Sequence, residues 1–264
     1  MRDGELEGRW ALVTGASSGM GVDFARELAA RGASLVLVAR RAEKLEELAS
    51  ELEGASGTRV EVVPMDLGTR SAPQELYDLL EEKGIAVDLL INNAGFGAYG
   101  PFVEQSWERV QAMLDLDIAT LAHLTKLFVD GMVERRWGRI LQVASIAAYQ
   151  PSPTYAAYCG AKSFVLLFGE SLNFELRGTG VSCTVISPGV TATEFFDVAG
   201  QKPALYHRLF MMESAKVARI GVRAMIRGRS SVVPGFGNTM NAWLTRFAPR
   251  RLNAYVANLL MTRG

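Results

Sequence analysis

Short unbroken apolar runs alternate along this chain with longer stretches whose apolar residues recur every three or four positions. The runs are Trp10 to Thr14, Ser34 to Ala39, Arg59 to Pro64, Val87 to Ile91, Arg139 to Ala144, Val181 to Ser187 and Ser231 to Val233. Each has strand length, and most are rich in Val, Ile and Leu. The stretches between them are Gly21 to Arg31, Glu43 to Leu52, Pro73 to Lys83, Trp107 to Glu134, Tyr155 to Arg177 and Glu213 to Arg227. These carry helical spacing, with room for one break in the long fourth stretch. Strands that alternate with helices make βαβ units, and unbroken apolar strands belong to a parallel sheet covered on both faces. The pattern predicts one α/β domain around a doubly wound parallel sheet of about seven strands with helices on both faces. No Pro/Gly-rich linker or internal repeat divides it.

Composition narrows the function classes. The 264 residues are 49% hydrophobic and 21% charged, which suits a globular domain with a full core. Lys and Arg together number 28 and so do Asp and Glu, so no global basic excess exists to attract nucleic acid. Two cysteines, Cys159 and Cys183, are too few for a disulfide framework or a zinc site. His123 and His207 lack ligand-like neighbours, so no metal is expected. The polar start, Met1 to Gly8, does not read as a signal peptide, and no apolar run reaches the roughly 18 residues that would cross a bilayer. A cytoplasmic protein with free thiols is expected.

The first strand runs into Thr14-Gly15-Ala16-Ser17-Ser18-Gly19-Met20-Gly21. Glycines there let the backbone turn tightly and approach a pyrophosphate. The helix that follows aims its N-terminal amides at the phosphates. A plain tight turn is the alternative, but the strand–turn–helix position is the one phosphate binding requires. The second strand ends at Ala39-Arg40-Arg41. A carboxylate there would hold the ribose hydroxyls of NAD, and none is present. Arg40 can instead pair with a 2′-phosphate, so NADP(H) is the expected cofactor. The other reading of the two arginines is a solvated helix start.

With Asn92-Asn93-Ala94-Gly95 after the fourth strand, Ser145, Tyr158, Lys162 and Pro188-Gly189, the chain resembles the short-chain dehydrogenases/reductases over about residues 8 to 235. The resemblance implies a Rossmann-type fold. It also implies a cofactor site built from Gly15, Ser17, Ser18, Gly19, Met20, Gly21, Arg40, Asp66, Leu67, Asn93, Ala94, Gly95, Tyr158, Lys162, Pro188, Gly189, Val190 and Thr193. Asp66 would contact the adenine amino group. Asn92, Ala94 and Gly95 would line the adenosine side, and Val190 and Thr193 would meet the carboxamide. A homodimer or homotetramer is expected.

Tyr158 and Lys162 stand four residues apart, so a helix puts them on one face. A free tyrosine ionises near pH 10, too high for proton exchange at neutral pH, and a nearby ammonium is expected to lower that value. Ser145, at the end of the fifth strand, can hold a substrate oxygen as charge develops on it. Tyr155 lacks the partnering lysine, since Cys159 stands in that place. In isolation a Tyr/Lys pair is an ordinary surface feature; here Ser145 and the glycine turn give it context. The expected reaction is hydride exchange between a carbonyl and an alcohol, with Tyr158 as general acid/base. A non-catalytic dinucleotide-binding sensor or scaffold is the alternative from another class. An epimerase or dehydratase would need a larger C-terminal substrate domain.

One position departs from the family pattern. Leu116-Asp117-Ile118 stands where the family has Asn, whose backbone carbonyl the resemblance ties to a proton relay from Lys. Asp117 is therefore a candidate catalytic residue that alters a coupled titration, or else a structural substitution.

Residues 190–212 form the expected substrate lid, with Phe195, Phe196, Leu205, Tyr206, Leu209, Phe210, Met211 and Met212 suiting a small hydrophobic ketone or alcohol. Met211-Met212 reads equally well as packing. The catalytic domain is expected over residues 1–237. Residues 238–264 form an extension that Pro249 splits into two short amphipathic helices, with arginine its only charged residue type. That extension has three readings: a lid, a subunit contact or a membrane-surface helix.

Overall fold

A computed structural model of the protein describes residues 5–191, 199 and 211–262. Seven parallel strands form one sheet in the order β3-β2-β1-β4-β5-β6-β7. They are β1 (Trp10–Thr14), β2 (Ser34–Ala39), β3 (Val60–Pro64), β4 (Val87–Asn92), β5 (Gly138–Val143), β6 (Val181–Ile186) and β7 (Ser231–Val232). The order reverses between β1 and β4. Such a switch point opens a crevice at the carboxyl ends of the strands, where open α/β sheets bind their ligands.

Alternation along each strand feeds two cores. Ala11 and Val13 of β1 join Leu35, Leu37, Leu89 and Ile91 on one face. Leu12 joins Val36, Val38, Leu90 and Ile140 on the other. The first face is covered by α1 (Gly19–Ala29), α2 (Ala42–Ser56) and α7 (Ser214–Ile226). Helix α1 buries Gly21, Phe24, Ala25, Leu28 and Ala29, a single stripe at helical spacing. The second face is covered by α3 (Ala72–Glu82) and α5 (Leu121–Glu134), whose Leu124, Phe128 and Met132 enter its core. Helix α6 (Ala156–Glu175) packs beside α5 through Val165 and Leu166, against Leu121 and Val185.

The long helical region expected at 107–134 is broken by a change of pitch. Helix α4 (Trp107–Leu114) runs through a π-helical turn, Asp115–Thr120, into α5. That turn carries Asp117 and turns its side chain fully inward. Past β7, α8 (Phe236–Leu244) and α9 (Arg250–Thr262) flank Pro249 as expected, α8 starting two residues ahead of the predicted extension. No described helix is long and apolar enough to cross a membrane.

Candidate active site

The glycine turn is built as its spacing requires. Gly15 (φ +67°) and Gly19 (φ +53°) adopt backbone that side chains rarely take. A Cβ on Gly21 would collide with the carbonyl oxygen of Gly15, so only glycine lets α1 start this close to the turn. Ser18 caps α1 with extended backbone and spends no side-chain hydrogen bond on it. Thr14 and Asn93 staple the turn to the segment after β4. The Thr14 hydroxyl accepts from the backbone amides of Asn93 and Ala94, both at 3.0 Å, and the Asn93 side-chain Nδ2 donates to the carbonyls of Thr14 and Gly15.

A cavity of about 670 Å³ opens over this turn. Gly15, Ser17, Ser18, Met20, Arg40, Asp66, Leu67, Asn93, Ala94 and Gly95, named above as candidate cofactor contacts, line it. Gly19 and Gly21 shape the turn without lining the cavity. Its lining holds three arginines, Arg40, Arg41 and Arg109, and one carboxylate, Asp66. One Asp66 oxygen accepts from the Gly68 amide at 3.0 Å, which fixes the side chain at the rim. Sequence reasoning missed Arg41. Its guanidinium folds onto the turn and donates to the Ser17 hydroxyl and carbonyl at 3.2 and 3.1 Å.

Asn92 does not belong to this cavity. As the last residue of β4 it points the opposite way from Asn93, into the core. There it donates to Thr125 Oγ1 and Gln142 Oε1, each at 3.0 Å. The alternation of strand side chains was the signal that separates the two asparagines.

The second cluster lies where β5 and α6 meet the π-helical turn. Ser145 begins a 3₁₀ turn (Ile146–Tyr149), accepting from the Ala147 amide at 3.2 Å. Its hydroxyl lies on the Tyr158 side of the site, where it favours the ionised phenol. Tyr158 and Lys162 share one face of α6, both buried, with the ammonium 5.7 Å from the tyrosine ring centre. The carbonyl of Pro188 accepts from the Ile146 amide at 2.8 Å, so the segment leaving β6 is tied to the Ser145 turn. Val190 accepts from the Met212 amide at 2.9 Å. Gly189 lies against the Asn238 side chain of α8. Met212 packs against the first core, the ordinary-packing reading of that residue. Thr193, and the lid aromatics Phe195, Phe196, Tyr206 and Phe210, lie outside the described residues.

The Lys162 ammonium meets Asp117, the residue that departs from the family pattern. It pairs with Asp117 Oδ2 at 2.9 Å and donates to the Val143 carbonyl at 3.2 Å. The other Asp117 oxygen accepts from the Phe96 amide at 3.1 Å. The carboxylate itself, rather than only a backbone carbonyl, therefore meets the lysine. Burial pushes Asp117 above the usual carboxylate range, and the Lys162 charge pulls part of the way back. Tyr158 is likewise raised, first by burial and then by the negative charge of Asp117, while the Ser145 hydroxyl opposes both. The expected lowering of Tyr158 is not what this arrangement produces, because burial first and the Asp117 charge second hold it up. The Tyr155 ring packs 5.6 Å from that of Tyr158, tilted by 56°, and its hydroxyl is raised by burial. Both cysteines are buried and free, and no metal-binding cluster occurs among the described residues.

A family model described as short chain dehydrogenase matches residues 9–204. The mouse protein named 17-beta-hydroxysteroid dehydrogenase type 3 is 33% identical over 82% of this chain and 71% of its own length. Among solved structures, a short-chain dehydrogenase from Sphingobium yanoikuyae in complex with NADPH is 29% identical, with a TM-score of 0.81 over 90% of this chain and 93% of that one. A short chain dehydrogenase/reductase from Burkholderia phymatum in complex with NAD is 26% identical, with a TM-score of 0.81 over 91% and 93%.

Proposed function

This chain belongs to the short-chain dehydrogenase family, and from that premise we propose that it is an NADP(H)-dependent oxidoreductase interconverting a carbonyl and an alcohol on a hydrophobic substrate. The observation that carries the reaction type is the gathering of Ser145, Tyr158 and Lys162 at one site, with the Lys162 ammonium one helical turn along α6 and 5.7 Å from the Tyr158 ring centre.

The glycine turn fits a dinucleotide, since Cβ atoms at Gly15 and Gly21 would close the space against Asn93 and the turn itself. Gly15, Ser17, Ser18 and Met20 would hold the pyrophosphate. When bound, the nicotinamide group supplies or accepts the hydride at the substrate carbon. Ser145 fixes the substrate oxygen. Tyr158 gives its phenolic proton to that oxygen in reduction and takes it back in oxidation. Lys162 and Asp117 set the electrostatic field in which that proton moves.

The preference for NADP(H) rests on Arg40 and Arg41 at the end of β2 and on the absence of a carboxylate beside them. A guanidinium suits a 2′-phosphate through paired charge-assisted hydrogen bonds. The hydrophobic substrate rests on the apolar residues between 190 and 212, and the mouse relative's name, a hydroxysteroid dehydrogenase, agrees with it. The test is turnover of a panel of hydrophobic aldehydes and ketones with NADPH and with NADH. Faster turnover with NADPH supports the reading. Turnover with NADH alone overturns the cofactor choice, and NADPH binding without turnover of any substrate favours a sensor.

A further inference from the structure

Helices α8 and α9 wear their amphipathicity inside out. Phe236, Met240, Trp243, Leu244 and Phe247 recur at the spacing of one helical stripe, and that stripe faces outward. Phe236 is 81% exposed, Trp243 54% and Phe247 69%. Leu252, Tyr255 and Val256 continue the pattern on α9, with Tyr255 at 66%. The inward sides carry small residues, the buried Ala242 and Ala257. A helix that packs only on its own domain turns its large apolar residues the other way.

The two helices are held as one platform. Asn253 of α9 donates to the carbonyl of Thr245, past the end of α8, at 3.0 Å. Trp243 and Phe247 pack with their ring centres 4.6 Å apart. At the anchored end, the Asn238 amide donates to Pro234 at 2.9 Å. The charges on this platform have one sign. Arg246, Arg250 and Arg251 are exposed around the stripe, and the sequence from Pro234 onward contains no Asp, Glu or Lys.

We propose that this outward face docks on an anionic lipid bilayer surface. Aromatic and aliphatic side chains would enter the headgroup boundary while the arginines meet lipid phosphates and carboxylates. A second copy of the chain fits less well. A two-fold contact sets the same patch against itself, which would bring three arginines from each copy together with no acid in the segment to separate them.

The test is co-sedimentation of the full chain with vesicles of equal parts phosphatidylcholine and phosphatidylserine, against vesicles of phosphatidylcholine alone. We expect binding to the anionic vesicles that weakens as salt rises. The triple variant Arg246→Gln/Arg250→Gln/Arg251→Gln should lose roughly a hundredfold in affinity, at about 1 kcal/mol for each charge near the surface. The variant Trp243→Ser/Phe247→Ser/Tyr255→Ser should also lose binding, with its unfolding temperature and dinucleotide affinity kept. Should the serine variant fail to fold, the glutamine variant, which changes only exposed charges, decides the matter. Three outcomes overturn the proposal: no binding by the wild type, equal binding by the glutamine variant, or a wild-type dimer that the serine substitutions split without any vesicle binding.

Discussion

Asp117 and Lys162, from the π-helical turn and α6, form an ion pair of 2.9 Å with both side chains buried beside Tyr158. Tyr158 is held up mainly by its own burial in this arrangement. Asp117 contributes negative charge that raises Tyr158, on top of the effect of burial. Replacing Asp117 with Asn removes that charge and releases the ammonium toward the phenol. In D117N the Tyr158 hydroxyl should then ionise at lower pH. Alcohol oxidation, which needs the phenolate, should reach its plateau at lower pH than in the wild type, and ketone reduction should fall away at lower pH too. Superimposable pH–rate profiles for the two proteins would show that Asp117 is a structural substitution only.

The same pair bears on stability. Asp117 is raised above its unfolded value, so the folded state holds that proton more tightly than the unfolded chain does. Its contribution is fully present below the unfolded carboxylate value and is lost as pH rises through the raised folded value. Denaturant midpoints measured across that range should show a downward step attributable to Asp117. The step should be missing in D117N.

Arg40 and Arg41 divide their work differently. Arg40→Ala should weaken NADPH binding by roughly 10- to 100-fold, the worth of a hydrogen bond to a charged group, and leave NADH almost unchanged. Arg41→Ala also removes the brace on Ser17, so it should weaken both cofactors. Fluorescence titrations with each nucleotide separate the two residues. Equal losses for NADPH and NADH in Arg40→Ala would remove the 2′-phosphate role.

Asn92 and Asn93 are neighbours with opposite fates. Asn92→Ala leaves Thr125 and Gln142 short of a buried partner and should cost about 1–3 kcal/mol of stability, with the dinucleotide KM kept. Asn93→Ala loosens the glycine turn and should raise that KM with a smaller stability loss. Paired denaturation and kinetic measurements distinguish these effects.

Much of this architecture was legible in the chain. Val/Leu/Ile runs of strand length and helical stripes such as Phe24, Leu28 and Ala29 gave the doubly wound sheet, because burial on two faces leaves those patterns behind. The glycine turn was legible because its backbone tolerates no side chain at Gly21. The rest depended on features without a local signature. The L-D-I position pointed to a charge near Lys162, but a π-helical turn has no composition of its own, so the turn that aims the Asp117 carboxylate directly at the ammonium was not legible. The fold of Arg41 onto Ser17 joins residues from two different strand ends. Asn92 could have been read correctly, had strand alternation been carried through to the last residue of β4.

Tyr158→Phe tests the central claim most directly, through NADPH consumption with a hydrophobic ketone that the wild type reduces. Loss of the phenolic proton should lower kcat by on the order of 10²- to 10⁴-fold, with NADPH affinity unchanged because the ring still packs against Tyr155. A Tyr158→Phe protein that reduces the ketone as fast as the wild type would contradict the account.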